Sequence, residues 1–267
     1  MKKIVLLIAT CLPVLAMAQY DLVRSQKRAD VNLKGPVYQV VSNMHSVDDD
    51  SCWSIASSAT YSFGGLKVAS LDVTLDGTVT EQYYYAGTRM TACEIVGATT
   101  ESYKFEYNDL GQLRKMVTYF PYDGEFDSVV SNIVCDPKGR PATLNSATDS
   151  YSYVYTRDGH LDATYHSAKD GANLSTAISY DSEGRIVRVL ENTANGPVRA
   201  TITSYNKEGN PTDVSTTTWD PASKVTYHYD YPSEPDEHGN WTIRLVTITT
   251  NGKAVHCIER RSLLYFK

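Results

Sequence analysis

Apolar and polar residues alternate at every second position over many short stretches of this chain. Tyr103, Phe105 and Tyr107 fall on one side of such a stretch, with Lys104 and Glu106 on the other. Tyr151, Tyr153 and Tyr155 repeat the pattern, as do Tyr227 and Tyr229. Period two is the signature of a β-strand with one buried face. Nothing between Asp30 and the C-terminus carries a helical period.

The residues at the ends of these strands are more specific. Tyr107-Asn108-Asp109-Leu110-Gly111-Gln112-Leu113 aligns with Tyr155-Thr156-Arg157-Asp158-Gly159-His160-Leu161 and with Tyr180-Asp181-Ser182-Glu183-Gly184-Arg185-Ile186. Tyr205-Asn206-Lys207-Glu208-Gly209-Asn210-Pro211 is a fourth copy. Looser copies run from Cys135 to Pro141, around Gly139, and from Asp236 to Trp241, around Gly239. An Asp, Asn or Thr three positions before a Gly fits a type I turn, whose first side chain accepts backbone hydrogen bonds. The Gly takes the positive φ that returns the chain into the next strand. Gly111, Gly139, Gly159, Gly184, Gly209 and Gly239 are therefore the expected structural turn residues. Their spacing of 20 to 30 residues suits two strands and two turns. The spacing predicts an all-β fold, an antiparallel β-meander of about seven strand–turn–strand hairpins in a single twisted, curled sheet. The repeats occupy residues 101–267, and residues 33–100 read as a divergent β cap. An end strand there would need to be polar or short to discourage edge-to-edge pairing.

The unit Tyr-(Asp/Asn)-x-x-Gly-x-(Leu/Ile) resembles the YD repeat of Rhs-type proteins. The opening Leu33-Lys34-Gly35-Pro36-Val37 and the closing Asp236-Glu237-His238-Gly239-Asn240-Trp241-Thr242 are similar to the ends of short, secreted YD-repeat-like proteins of Gram-negative bacteria. The resemblance covers residues 33–267 and implies a repeat architecture with no assigned activity. Large members of the family enclose a C-terminal toxin. Here the chain is short and Val255 to Phe266 reads as a final strand, so the resemblance does not extend to that role.

Composition changes the picture at the N-terminus. Lys2 and Lys3, an apolar run from Ile4 towards Val14, and Ala16-Met17-Ala18 have the form of a signal peptide over residues 1–18. Residues 19–32 then form an N-terminal extension. Ile8-Ala9-Thr10-Cys11 fits a lipobox poorly, because Thr10 is bulky and the apolar run continues past Cys11. Export to the periplasm, outer surface or medium is the expectation. Loss of Lys2 and Lys3 takes the formal charge from −6 to −8, a balance unsuited to nucleic acid or an anionic membrane surface. No later apolar run approaches membrane-spanning length. Of the remaining cysteines, Cys52, Cys93, Cys135 and Cys257, the pair Cys52–Cys93 is the favoured disulfide in an oxidising compartment, with other pairings open.

Catalytic motifs are missing from the sequence: it has no Gly-x-Ser-x-Gly elbow, His-Glu-x-x-His pair or phosphate-cradling loop. Asp48-Asp49-Asp50 lacks the ligand pattern of a calcium loop. His160 and His166 lie about 20 Å apart along a strand, too far for one metal. Cys135 stands where other copies have Tyr, as a small apolar substitute. Twenty tyrosines against five phenylalanines suit half-buried strand positions with wet hydroxyls. Trp53, Trp219 and Trp241 are candidate binding platforms, Trp219 above all, in the loop-like Trp219-Asp220-Pro221. The expected role is a secreted, non-enzymatic binding or scaffolding protein, with a glycan, peptide or envelope protein as partner and no cofactor or metal. Alternatives are a self- or partner-assembling structural element and a glycan-acting hydrolase.

Overall fold

The computed structural model describes residues 33–47, 57–64, 67–74, 78–86, 89–96, 100–122, 125–171 and 173–266. These residues form eighteen strands. The first nine are β1 (Val37–Ser46), β2 (Ser57–Gly64), β3 (Lys67–Thr74), β4 (Thr78–Ala86), β5 (Arg89–Val96), β6 (Thr100–Tyr107), β7 (Leu113–Tyr122), β8 (Glu125–Cys135) and β9 (Pro141–Asn145). The second nine are β10 (Asp149–Tyr155), β11 (Leu161–Ala168), β12 (Asn173–Tyr180), β13 (Ile186–Thr193), β14 (Gly196–Tyr205), β15 (Pro211–Trp219), β16 (Ala222–Asp230), β17 (Ile243–Thr250) and β18 (Lys253–Tyr265).

Each strand pairs antiparallel with its neighbours in sequence, so the meander and the single curled sheet are as expected. The sheet also returns on itself. β1 pairs with β2 on one side, Val40 opposite Tyr61, and with β18 on the other, Val40 opposite Leu263. Each of the eighteen described strands thus has two partners, and none of them is left as an open edge. Residues 33–100, expected as a cap, supply β1–β5 and complete the ring.

Side chains alternate between a buried and an exposed face. The buried face is the inward one, since a sheet paired edge to edge shields only its inside. Met90, Cys93, Tyr103, Phe105, Met116 and Ile133 begin one apolar cluster that continues through Ile178. A second joins Met44, Tyr227, Tyr229, Val246, Ile248 and Cys257. A round barrel of this many strands would leave a wet lumen. Here Met116 and Cys93 are 0 % exposed and Ile248 is 1 % exposed, so among the described residues the inward side chains around both clusters are packed away from water. Each such side chain contributes on the order of 1.5–3 kcal/mol by leaving water.

Turn chemistry fixes the register. The Gly of every copy has a left-handed φ, +77° at Gly111 and Gly184 and +80° at Gly139. Its amide donates to the carbonyl of the first turn residue, as in Gly111 to Asn108 at 2.8 Å. Immediately before each of the five turns from Asn108 to Asn206 the ladder shifts by one residue, at Glu106/Tyr107, Val134/Cys135, Val154/Tyr155, Ser179/Tyr180 and Ser204/Tyr205. This is a Gly-dependent bulge, repeated.

Candidate functional site

All six Gly turns lie at one end of the ring, because each repeat runs up one strand and down the next. They are built alike. The first side chain accepts from the amide four residues on: Gln112 to Asn108 Oδ1, Arg140 to Asp136 Oδ1 and Arg185 to Asp181 Oδ1, each at 2.9 Å. Asp136 also accepts from the Arg140 guanidinium at 2.7 Å, which holds its carboxyl below the usual range. At Asp181 burial works to raise the pKa, but hydrogen bonds from the Arg185 amide and guanidinium outweigh it.

Consecutive turns are also locked to each other. The tyrosine before a turn donates its hydroxyl to the carbonyl that begins the preceding return strand. Tyr155 reaches Pro141 at 2.8 Å, Tyr180 reaches Leu161 at 2.8 Å and Tyr205 reaches Ile186 at 2.9 Å. Tyr107 reaches Met90 at 2.7 Å and Tyr231 reaches Pro211 at 2.8 Å. Cys135 makes the same link with sulfur, its Sγ lying 3.3 Å from the Leu113 carbonyl, and burial pushes its thiol pKa up. In three copies the residue after Gly covers the next repeat's tyrosine: Arg140 over Tyr155 at 4.1 Å, His160 on Tyr180 at 4.8 Å and Arg185 over Tyr205 at 4.7 Å. That side chain also lies against the next Gly. A Cβ on Gly184 would sit 3.1 Å from the His160 ring.

The result is a ladder of turns with a constant frame and variable tips. The second and third turn residues point to solvent: Asp109-Leu110, Pro137-Lys138, Arg157-Asp158, Ser182-Glu183 and Lys207-Glu208. Leu110 is 82 % exposed. The glycines and the Asx positions are visible in the sequence. So is the placement of Arg140, His160 and Arg185 in register after Gly, the one signal from which the stacking could be read.

The first and last described segments close the ladder. Lys34 and Asn240 exchange hydrogen bonds, 2.8 Å into Asn240 Oδ1 and 2.9 Å out from its Nδ2. Tyr265 donates to Asp236. Burial, and then the Asp236 carboxylate, push the Tyr265 pKa up to about 12. Deeper along the same seam Glu259 and Arg244 are both 2 % exposed. Arg244 Nε donates to Glu259 at 2.6 Å, and Ser42 on β1 donates to the other carboxylate oxygen. Burial works to raise the Glu259 pKa, but the Arg244 and Arg261 charges outweigh it and the group is held below its ordinary value.

Of the two described tryptophans, Trp219 stays a surface candidate, 45 % exposed at the opposite end of the ring from the Gly turns. Trp241 requires correction. It is 5 % exposed, held between the Arg244 and Arg261 guanidinium groups at 4.5 and 3.6 Å, and serves the seam. Trp53 lies outside the described residues, as do Cys52, the signal segment and Asp48–Asp50. Cys93, the other half of the expected disulfide, is a buried thiol opposite Tyr103.

A second polar group lies inside the ring towards the Trp219 end. Cross-strand register aligns Thr164, Thr176, Glu191 and Arg199 in one row. Arg199 binds Glu191 through both carboxylate oxygens, at 2.8 and 2.5 Å. His166 lies 2.8 Å from Asp149 and stacks on Tyr151 at 4.3 Å. These groups satisfy one another.

No helix among the described residues is long and apolar enough to cross a membrane. No protein-family model matches the chain, and no curated protein matches it. Among solved structures it is similar to the crystal structure of a porin-like protein from Bacteroides uniformis, with a TM-score of 0.46 and 11 % identity over 87 % of this chain and 99 % of that one.

Proposed function

We propose that the protein is an exported, non-enzymatic β-repeat scaffold that binds a glycan, peptide or envelope protein through its rim of stacked turns. The observation that carries this reading is the division of labour within each turn. Asn108, Asp136, Asp181 and Asn206 spend their side chains on backbone amides, while the two residues after each are exposed and no two of these copies carry the same pair. A rigid frame presenting variable loop tips is how binding surfaces are commonly carried. The YD-repeat resemblance and the leader-like segment from Lys2 to Ala18 agree with an exported scaffold. Strand addition gains no support, because each strand already has partners on both sides.

The test is a glycan, peptide and envelope-fraction binding screen. It compares the folded protein with a variant in which Leu110, Lys138, Arg157, Glu183 and Lys207 are all Ser. The expected result is a ligand retained by the protein and lost by the variant, with equal melting temperatures. Absence of any ligand, or equal binding by the variant, overturns the reading. N-terminal sequencing of the exported chain should begin at Gln19.

A further inference from the structure

We propose that Asn251, at the tip of the β17–β18 hairpin, is a site of spontaneous covalent modification, where the side-chain amide closes on the Gly252 amide as a succinimide and opens to isoaspartate or aspartate. The chain has two Asn-Gly pairs, Asn195-Gly196 and Asn251-Gly252. Gly in the second place favours this reaction, because no side chain screens the attacking nitrogen. Both pairs belong to two-residue hairpin connections, Ala194-Asn195 between β13 and β14 and Asn251-Gly252 between β17 and β18. By sequence the two are equals.

The fold sets them apart. Gly196 is itself a ladder residue, paired with Thr193, and its carbonyl accepts from the Thr193 hydroxyl at 3.3 Å. That hydroxyl also accepts from the Asn195 amide at 3.3 Å, so both halves of this pair are tied to their own hairpin. At the other tip the ladder ends at Thr250 and Lys253, which leaves Asn251 and Gly252 outside it, both exposed. Among the described residues nothing accepts a hydrogen bond from the Gly252 amide. A Cβ on Gly252 would meet nothing within 4 Å. Gly196 is as open by that measure, so the ladder and not space separates the two. The bonds that Asn251 does make leave the reacting atoms unoccupied. Its amide donates to the Lys224 carbonyl at 3.3 Å, and its Oδ1 accepts from the Lys224 amide at 3.5 Å. Negative charge develops on that oxygen during attack, and a donor placed there assists.

Water is the only co-reactant the step needs. The Gly252 nitrogen bonds to Asn251 Cγ, the Cγ–Nδ2 bond breaks, and ammonia leaves with the proton that the backbone amide gives up. Rotation about the Asn251 Cα–C bond brings the two atoms together, a motion open to an exposed loop tip. One water then opens the ring. Opening at the former backbone carbonyl leaves the chain running through Cβ and Cγ, one carbon longer. Two-residue loops suit twisted strands only in particular backbone geometries. The longer link therefore works against the Thr250–Lys253 pairing, from which the register of Arg244 and Glu259 is counted.

Incubation of the purified protein in mildly alkaline buffer, followed by peptide mass mapping, tests this. The expected result is amide-to-acid conversion at Asn251 roughly five times faster than at Asn195, the factor for opening one ladder hydrogen bond. In concentrated urea, where neither hairpin persists, the two sites should convert alike. Isoaspartyl protein recovered from the folded sample should melt below the Asn251→Asp variant, which carries the same charge on an ordinary backbone. Equal rates in the folded protein, a lead for Asn195, or a lead for Asn251 that persists unchanged in urea would each overturn the proposal, as would no conversion at Asn251. Isoaspartyl protein that melts with Asn251→Asp would overturn the link to the hairpin register.

Discussion

Tyr180 shows how much a single side chain does in this protein. Its ring belongs to the buried face, His160 covers it, and its hydroxyl holds the Leu161 carbonyl of the preceding repeat. Tyr180→Phe keeps the ring and strands that carbonyl, so it should lower stability by about 1 kcal/mol, read as a drop in melting temperature. Gly184, three residues after Asp181, is constrained twice, by φ +77° and by the His160 ring. Gly252 has φ +82° with open space around it. Gly184→Ala should therefore cost more than Gly252→Ala, whose penalty of about 1–2 kcal/mol is conformational alone. Chemical denaturation of the two variants checks the order. The Tyr and Gly positions are legible from spacing. The hydroxyl's destination is not, because Leu161 lies 19 residues away and turn spacing does not state which carbonyls face a neighbouring repeat.

At the scale of elements, the β17–β18 hairpin carries the buried charge. Its turn is Asn251-Gly252, both with positive φ, the two-residue loop preferred between twisted strands. Counting outward from that turn sets Arg244 against Glu259, so the ion pair is present in the sequence once the register is fixed there. Trp241 reads as a platform in the sequence because the cations that enclose it, Arg244 and Arg261, come from two strands. Removing one partner from a buried pair leaves the other charge uncompensated, so Glu259→Gln should cost about 3–5 kcal/mol. The pH dependence has a definite sign. The folded pKa lies below the ordinary value of 4.5, so the stabilisation is complete above that value and declines as pH falls through the folded pKa. Acid titration of β1 and β18 by amide exchange should show this seam loosening below about pH 4.5 in the wild type. Glu259→Gln should lack that component.

For the whole molecule, the repeat predicts a meander and the structure is one, but alternation and turn spacing are local and say nothing about which strands meet last. That depends on β1, a stretch without the YD pattern whose partner, β18, begins more than 200 residues later. Deleting residues 33–46 should expose β2 and β18 as two bare edges. Size-exclusion chromatography should then show concentration-dependent oligomers, and a synthetic peptide of residues 33–46 should return them to the size of the intact protein.

The same pairing orders events in time. β1 is among the first strands to be synthesised, and of its two partners only β2 comes off the ribosome soon after it. The other half of its hydrogen-bonding groups must wait for β18, the last of the eighteen described strands. Neighbouring hairpins are short-range and can form as they emerge, whereas the seam joins the two most distant parts of the chain. It therefore has the largest loop-closure entropy and should form last. Until it forms, the polypeptide is a long strip with a sticky border at each end. Any chaperone that accompanies this chain has those borders to shield, and its task ends when Ser42 reaches Glu259.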